Sequence, residues 1–305
     1  MGQFLAARAA HSAISLIGLV MLVFFLVRLT GDPTNLFLPI DASLETRKEF
    51  AAKHGFDDPV LVQFGRFLSD IANFDLGDSL RKGRPALDVV LEAMPTTLSL
   101  AAVTMTLVIA LALCIGSLAA YRPGSAFDRG ATMVSLAAAS APDFWVAIMA
   151  ILLFAVTLGW LPTSGTGGLV HWVLPVFVLS LRPMGLLVQV VRGSMISAFS
   201  SAYIKTARGK GVGERQVIFG HALGNSTLAV ITVAGDQAVG IVNGAVIVET
   251  VFGWPGVGKL MIDAVVQRDF AVVQAAVLVT ASLIFLLNIV IDVLYVVLDP
   301  RIRHR

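Results

Sequence analysis

The chain has 305 residues, of which 57% are hydrophobic and 14% charged, with a mean hydropathy of +0.85. A soluble domain carries about 25% charged residues and could not keep this much apolar surface from water, so composition excludes a soluble enzyme and a disordered or fibrous chain. A single cysteine, Cys114, excludes a disulfide scaffold, and a net charge of +2 is too small to indicate nucleic acid. What remains is an integral membrane protein, and the apolar runs below lead to the expectation of an all-α polytopic one.

A hydrocarbon core about 30 Å thick calls for about 20 mainly apolar residues per crossing helix. Residues 9–27 form the first such run; it is longer than a signal-peptide core and lacks a small-x-small cleavage site, so it reads as a retained anchor. Residues 30–95 differ in kind, holding 18 of the 42 charged residues with a net charge of −4. There Ser43 can cap a short helix with Glu45 and Glu49 in its first half and Gly55 at its end. Asp58-Pro59 starts a second, with Leu61, Phe64, Leu68 and Ile71 on one face. The segment reads as an exported helical cap on a pore mouth, or as a docking surface. The second span covers residues 93–121. A third apolar stretch starts near Gly130, passes Asp143 and ends around Leu158, with Pro142 able to kink it. The Gly/Pro-rich run 159–168 separates it from a fourth at 172–191, which contains Arg182. The fifth runs 226–248 around Asp236 and the sixth 270–298 around Asp292. The expected organisation is a first transmembrane helix (1–29), a cap segment (30–95) and a five-helix core (96–305).

Orientation follows from Lys and Arg in the short loops. With the N-terminus inside, eleven fall on the cytoplasmic side, from Arg8 through Arg122, Arg129, Arg192, Lys205, Arg208, Lys210 and Arg215 to Arg301, Arg303 and Arg305. Only Lys259 and Arg268 fall in the short outer loops. Both termini are therefore expected inside, which agrees with six spans.

The sequence holds no recognisable catalytic constellation. The five histidines are far apart, with no H-E-x-x-H pair and no G-x-S-x-G elbow, so neither an enzyme nor a metal site is expected, and no cofactor. Gly253–Lys259 fits the G-x-x-x-x-G-K part of a phosphate loop, but Leu260 follows where a hydroxyl is needed and Pro255 lacks an N–H. It reads as a turn between membrane elements. The stretch 192–223 is basic and polar with interspersed Tyr203, Ile204, Val212, Val217, Ile218 and Phe219. Gly209, Gly211 and Gly213 allow a reversal between two short helices, a shape suited to a partner's groove.

At this point the chain resembles the permease subunits of ATP-binding-cassette importers of the dipeptide/oligopeptide/nickel branch. Their signature loop starts Glu-Ala-Ala, continues to a Gly and ends Ile-x-Leu-Pro. Lys205-Thr206-Ala207, Gly211 and His221-Ala222-Leu223-Gly224 occupy those places, with Ala207, Gly211 and Leu223 matching. The resemblance continues in Arg28–Pro33, Leu76–Leu80, Pro95–Leu98, Ala141–Trp145, Glu249–Gly258 and Asp299–Arg303. It implies a type I importer permease fold in a bacterial inner membrane. The implied partners are a second homologous permease, two cytoplasmic ATPases and an external substrate-binding protein. It implies further that the loop around Tyr203–Arg215 holds a coupling helix seated on an ATPase, with Tyr203, Lys205, Thr206, Ala207, Gly211, Glu214 and Arg215 as coupling residues. Peptides or similar small solutes would pass by alternating access.

Polar residues within spans are the other candidates, because each is costly in lipid without a partner or an aqueous path. Asp143, Arg182, Asp236, Asn243 and Glu249 are expected along the path or at a gate. Arg182 and Asp236, each near mid-span, are expected to pair. Asn288 and Asp292 lie one turn apart and suit interhelical hydrogen bonding. The rival reading is an ion-gradient-driven secondary transporter using Asp143, Asp236 and Asp292, although no inverted repeat is visible.

Overall fold

A computed structural model describes residues 2–29, 38, 42–54, 57–79 and 81–298; Gly55, most of the Arg28–Pro33 motif and the Asp299–Arg303 motif lie outside the described residues. The described elements are helical: α1 (Gly2–Leu29), α2 (Leu44–His54), α3 (Val60–Ala72), α4 (Ala86–Tyr121), α5 (Ala126–Ser140) and α6 (Asp143–Ala150). There follow α7 (Val170–Phe199), α8 (Ala202–Gly209), α9 (Glu214–Gln216), α10 (Leu223–Val251), α11 (Val257–Val266) and α12 (Phe270–Leu298). Two π-helical stretches, Ile151–Thr157 and Val217–Ala222, continue α6 and lead into α10. Among the described residues four helices are long and apolar enough to cross a bilayer, or five if a bent pair is one span. These four are the second, fourth, fifth and sixth runs of the sequence.

The third run departs from expectation. It is two helices, α5 and α6, set at 104°. Ala141 stands before Pro142 and is extended (φ −76°, ψ 131°), because the proline ring excludes the helical conformation there. The helix stops at Ser140 and restarts with Asp143 in its first turn, where a carboxylate suits the N-terminal dipole. The kink is a full break.

One compact unit comprises Met1–Pro95 and Val257–Leu286. Its core sets Ala86, Val89 and Val90 of α4 with Val272, Ala275 and Ala276 of α12. Asp269 is buried before α12: its Oδ2 accepts from Ser79 Oγ at 2.5 Å and its Oδ1 from Val272 N at 3.4 Å, tying the 77–85 loop to that helix start. Ser43 caps α2 as expected, its Oγ accepting from Thr46 N at 3.1 Å. The apolar face of α3 is covered in part: Phe64 and Phe67 meet Phe24 of α1 at 5.1 and 5.3 Å, whereas Leu61 and Leu68 are exposed.

The other unit comprises Thr96–Gly256 and Leu287–Arg305. Its helices cross closely where small residues allow. A Cβ on Gly185 of α7 would lie 2.3 Å from the Ser135 carbonyl oxygen of α5, and one on Gly116 of α4 would lie 2.7 Å from Val191 of α7. Gly185→Ala should therefore force α5 and α7 apart and cost about 1–3 kcal/mol, as overpacking does. Gly193→Ala, on the same helix with nothing within 4 Å, should be neutral. Thermal unfolding of both variants in detergent checks the contrast.

Candidate functional site

The 202–216 stretch folds as the glycines suggest. Gly211 takes the left-handed conformation (φ +78°) that ends α8, while Val212 N donates to Ala207 O at 3.2 Å and Lys210 N to Thr206 O at 3.0 Å. Ile204, Val217 and Ile218 are buried in a core shared with Val191 and Met195 of α7. That seats the helix–turn–helix on the transmembrane body. Tyr203, Lys205, Thr206, Glu214 and Arg215 are exposed, Ala207 half-buried. The outer face is therefore basic, with one aromatic ring. Arg208 grips Glu214 through two bonds, Nε to Oε1 at 3.0 Å and Nη2 to Oε2 at 3.2 Å.

Within the spans, the break at Pro142 puts Asp143 between α7 and α10. A Cβ on Gly244 would be 3.7 Å from Asp143 Oδ2 and 3.4 Å from Leu179 Cδ1, so the three share one level. Arg182 lies three residues beyond Leu179, about 4.5 Å along α7. Asp236 lies eight residues before Gly244, about 12 Å along α10. The two helices run in opposite senses, so both residues lie on the same side of that level, with Asp236 about 7 Å farther from it than Arg182. The expected Arg182–Asp236 pair is not formed: Asp236 accepts from Gln237 Nε2 at 3.0 Å, and among the described residues no ion pair joins it to Arg182. Asn243 is exposed beside Gly244.

Glu249 occupies a different environment. It is 0% exposed and accepts a hydrogen bond from Thr97 Oγ1 at 2.6 Å. Its backbone carbonyl accepts from Trp254 N at 2.8 Å, and its carboxylate fills the space that a Gly256 side chain would need. Phe252 and Trp254 are buried around it, with Trp254 edge-on to Trp172 at 4.8 Å. The Gly253–Gly256 turn is thus built over a carboxylate. Asp292 is also buried. Among the described residues no group of His, Cys, Asp or Glu could hold a metal ion.

The profile of the family described as "binding-protein-dependent transport system inner membrane component" matches residues 112–304. This chain belongs to that family. Over its whole length and that of its relative it is 35% identical to the oligopeptide transport system permease protein AppB of Bacillus subtilis. It is 33% identical to the dipeptide transport system permease protein DppB of Escherichia coli over 99% of each chain. Its fold is similar to that of the MetNI methionine ABC transporter in inward-facing conformations, with a TM-score of 0.59 at 15% identity over 69% of this chain and 96% of that one. The likeness at that identity concerns the fold alone. This inner-membrane component is a multi-pass ABC importer permease by family and by fold.

The roles of three groups in the permease escape a motif search. Asp128, buried at the start of α5, accepts from Arg192 of α7 at both carboxylate oxygens, one of them from Nη2 at 2.8 Å, and from Gly124 N at 2.8 Å. Its trace in the sequence is Ser125-x-x-Asp128, a capping pattern, and Ser125 Oγ does accept from Asp128 N at 3.2 Å. Thr97 was visible only as part of the Pro95–Leu98 motif, with no role attached to its hydroxyl. Arg208 was visible only as one loop charge among several.

Proposed function

We propose that this chain is the transmembrane permease subunit of an ATP-driven importer that receives short peptides from an external binding protein. It spans the membrane six times with both termini inside and pairs with a homologous permease. Of two cytoplasmic ATPases one binds the 202–216 helix–turn–helix, and together they switch the pore between inward- and outward-facing states, so ATP hydrolysis lies on other chains. Peptide is the proposed cargo class because full-length relatives are named for oligopeptide and dipeptide transport. The observation that carries the reading is the 202–216 element itself. It buries Ile204, runs straight into the buried Val217 and Ile218 and leaves a basic face outward, so a partner's push reaches the core.

The test is co-purification. ATPase subunits should be retained by the unaltered permease. Lys205→Glu with Arg215→Glu should weaken retention about tenfold and lower peptide uptake with it, as reversed charge at an interface does. Uptake by the chain alone, driven by an ion gradient without ATPase subunits, would instead support the secondary-transporter reading.

A further inference from the structure

Arg208 does more than pair with Glu214. Its guanidinium carbon also lies 5.7 Å from the ring centroid of Phe199, the last residue of α7. Phe199 in turn meets Tyr121, the last residue of α4, edge to face at 6.4 Å. Arg122 stands over the Tyr121 ring at 5.7 Å. The series Glu214, Arg208, Phe199, Tyr121, Arg122 therefore runs from the turn of the helix–turn–helix to the ends of two membrane helices. Tyr121 and Phe199 also pack on the core that buries Ile204 and Val217.

The turn it crosses is the softest part of the element, with glycines at 209, 211 and 213. A turn of that composition absorbs a push by flexing unless something spans it. The Arg208–Glu214 fork closes it. An exposed ion pair adds little by itself. Here one planar group forks to a carboxylate while its central carbon lies over a ring, a combination a lysine ammonium cannot reproduce. We infer that Arg208 is a positioning residue of the transport cycle, a brace that holds the helix–turn–helix at a fixed angle to α4 and α7 so that its displacement moves those helices. The inference rests on the reading of 202–216 as the ATPase-contacting element.

Two readouts in the full importer test it. Nitroxide labels at Lys210→Cys and Arg129→Cys, with Cys114 replaced, report the loop's position against α5 without any cargo. The distance distribution should be narrow with Arg208 and clearly broader with Arg208→Lys. In proteoliposomes, Arg208→Lys should keep the ATPase subunits bound, yet uptake of labelled trialanine per ATP hydrolysed should fall about fivefold. Phe199→Leu should do the same, and the double variant should fall no further than either alone. An unchanged distribution or an unchanged uptake ratio overturns the brace. Loss of uptake in step with loss of bound ATPase overturns it too, making Arg208 a docking contact. An unaltered importer whose permease retains no ATPase sinks the reading of the loop, and the brace with it. Coupled transport with Arg208→Lys equal to the parent sinks the brace alone.

Discussion

Gly256→Ala is expected to abolish transport and most of the folded yield, although it adds one methyl group. The new Cβ would lie 2.1 Å from Glu249 Oε1, 2.3 Å from Cδ and 2.5 Å from Oε2. No real Cβ approaches a neighbour so closely, so the carboxylate or the turn must move. Neither is free to do so. The carboxylate is fully buried and held by Thr97, while the turn is pinned by Trp254 N to Glu249 O and by Gly256 N to Trp254 O, both at 2.8 Å. Moving it off Thr97 leaves a buried polar group short of a partner, at about 1–3 kcal/mol, and the overpacking adds about 1–3 kcal/mol more. That is a large share of the about 5–15 kcal/mol that holds a domain together. The diagnostic comparison is with Glu249→Ala, which is itself damaging but removes the obstacle. Gly256→Ala on that background should add little further loss, because two residues in contact do not act additively. Monodisperse yield by size exclusion and thermal unfolding in detergent read the result. Equal penalties from Gly256→Ala with and without Glu249 would sink the account.

Loss of the Asp128–Arg192 clasp should be nearly as severe, and exchanging the two charges should not repair it. Arg192→Ala leaves a carboxylate that is 2% exposed with one strong partner gone, for an expected cost of about 3–5 kcal/mol. An ion pair that served only as a pair would be restored by Asp128→Arg with Arg192→Asp. This one sits in the first turn of α5, where Asp128 also accepts from Gly124 N. An arginine there would face a backbone donor and the positive end of the helix dipole. The exchanged protein should therefore unfold several degrees below the parent by thermal scan in detergent. Recovery to the parent's transition would show that capping contributes nothing.

The helices α4, α7, α10 and α12 were legible because the bilayer enforces length and apolarity together, and a chain cannot satisfy it otherwise. The reversal at Gly209–Gly213 was legible for a similar reason: few sequences other than clustered glycines end one helix and start another so tightly. Pro142 was legible as a perturbation but not as a break. Whether a helix bends around proline or stops depends on what packs against the freed backbone, and that is tertiary. The polar residues divide in the same way. A charge in an apolar run announces that it needs company, not which company. Glu249 read as a gate and is buried beneath a turn; Arg182 read as Asp236's partner and lies nearer the level that Leu179 shares with Asp143. Depth along two antiparallel helices decides the second case, and only a register that the sequence does not state supplies it.

The break between α5 and α6 bears on the membrane itself. Each half contains fifteen residues, Ala126–Ser140 on one side and Asp143–Thr157 on the other. At about 1.5 Å per residue each leg is about 22 Å, and with the 104° bend the pair taken as one crossing reaches about 28 Å from end to end, just short of a hydrocarbon core about 30 Å thick. A helix too short for its bilayer draws the lipid inward or leaves polar backbone in acyl chains. The stretch therefore matches thin membranes better than thick ones. Acyl-chain length in a reconstituted bilayer is accordingly a mechanical variable for this protein, acting on the element that carries Asp143.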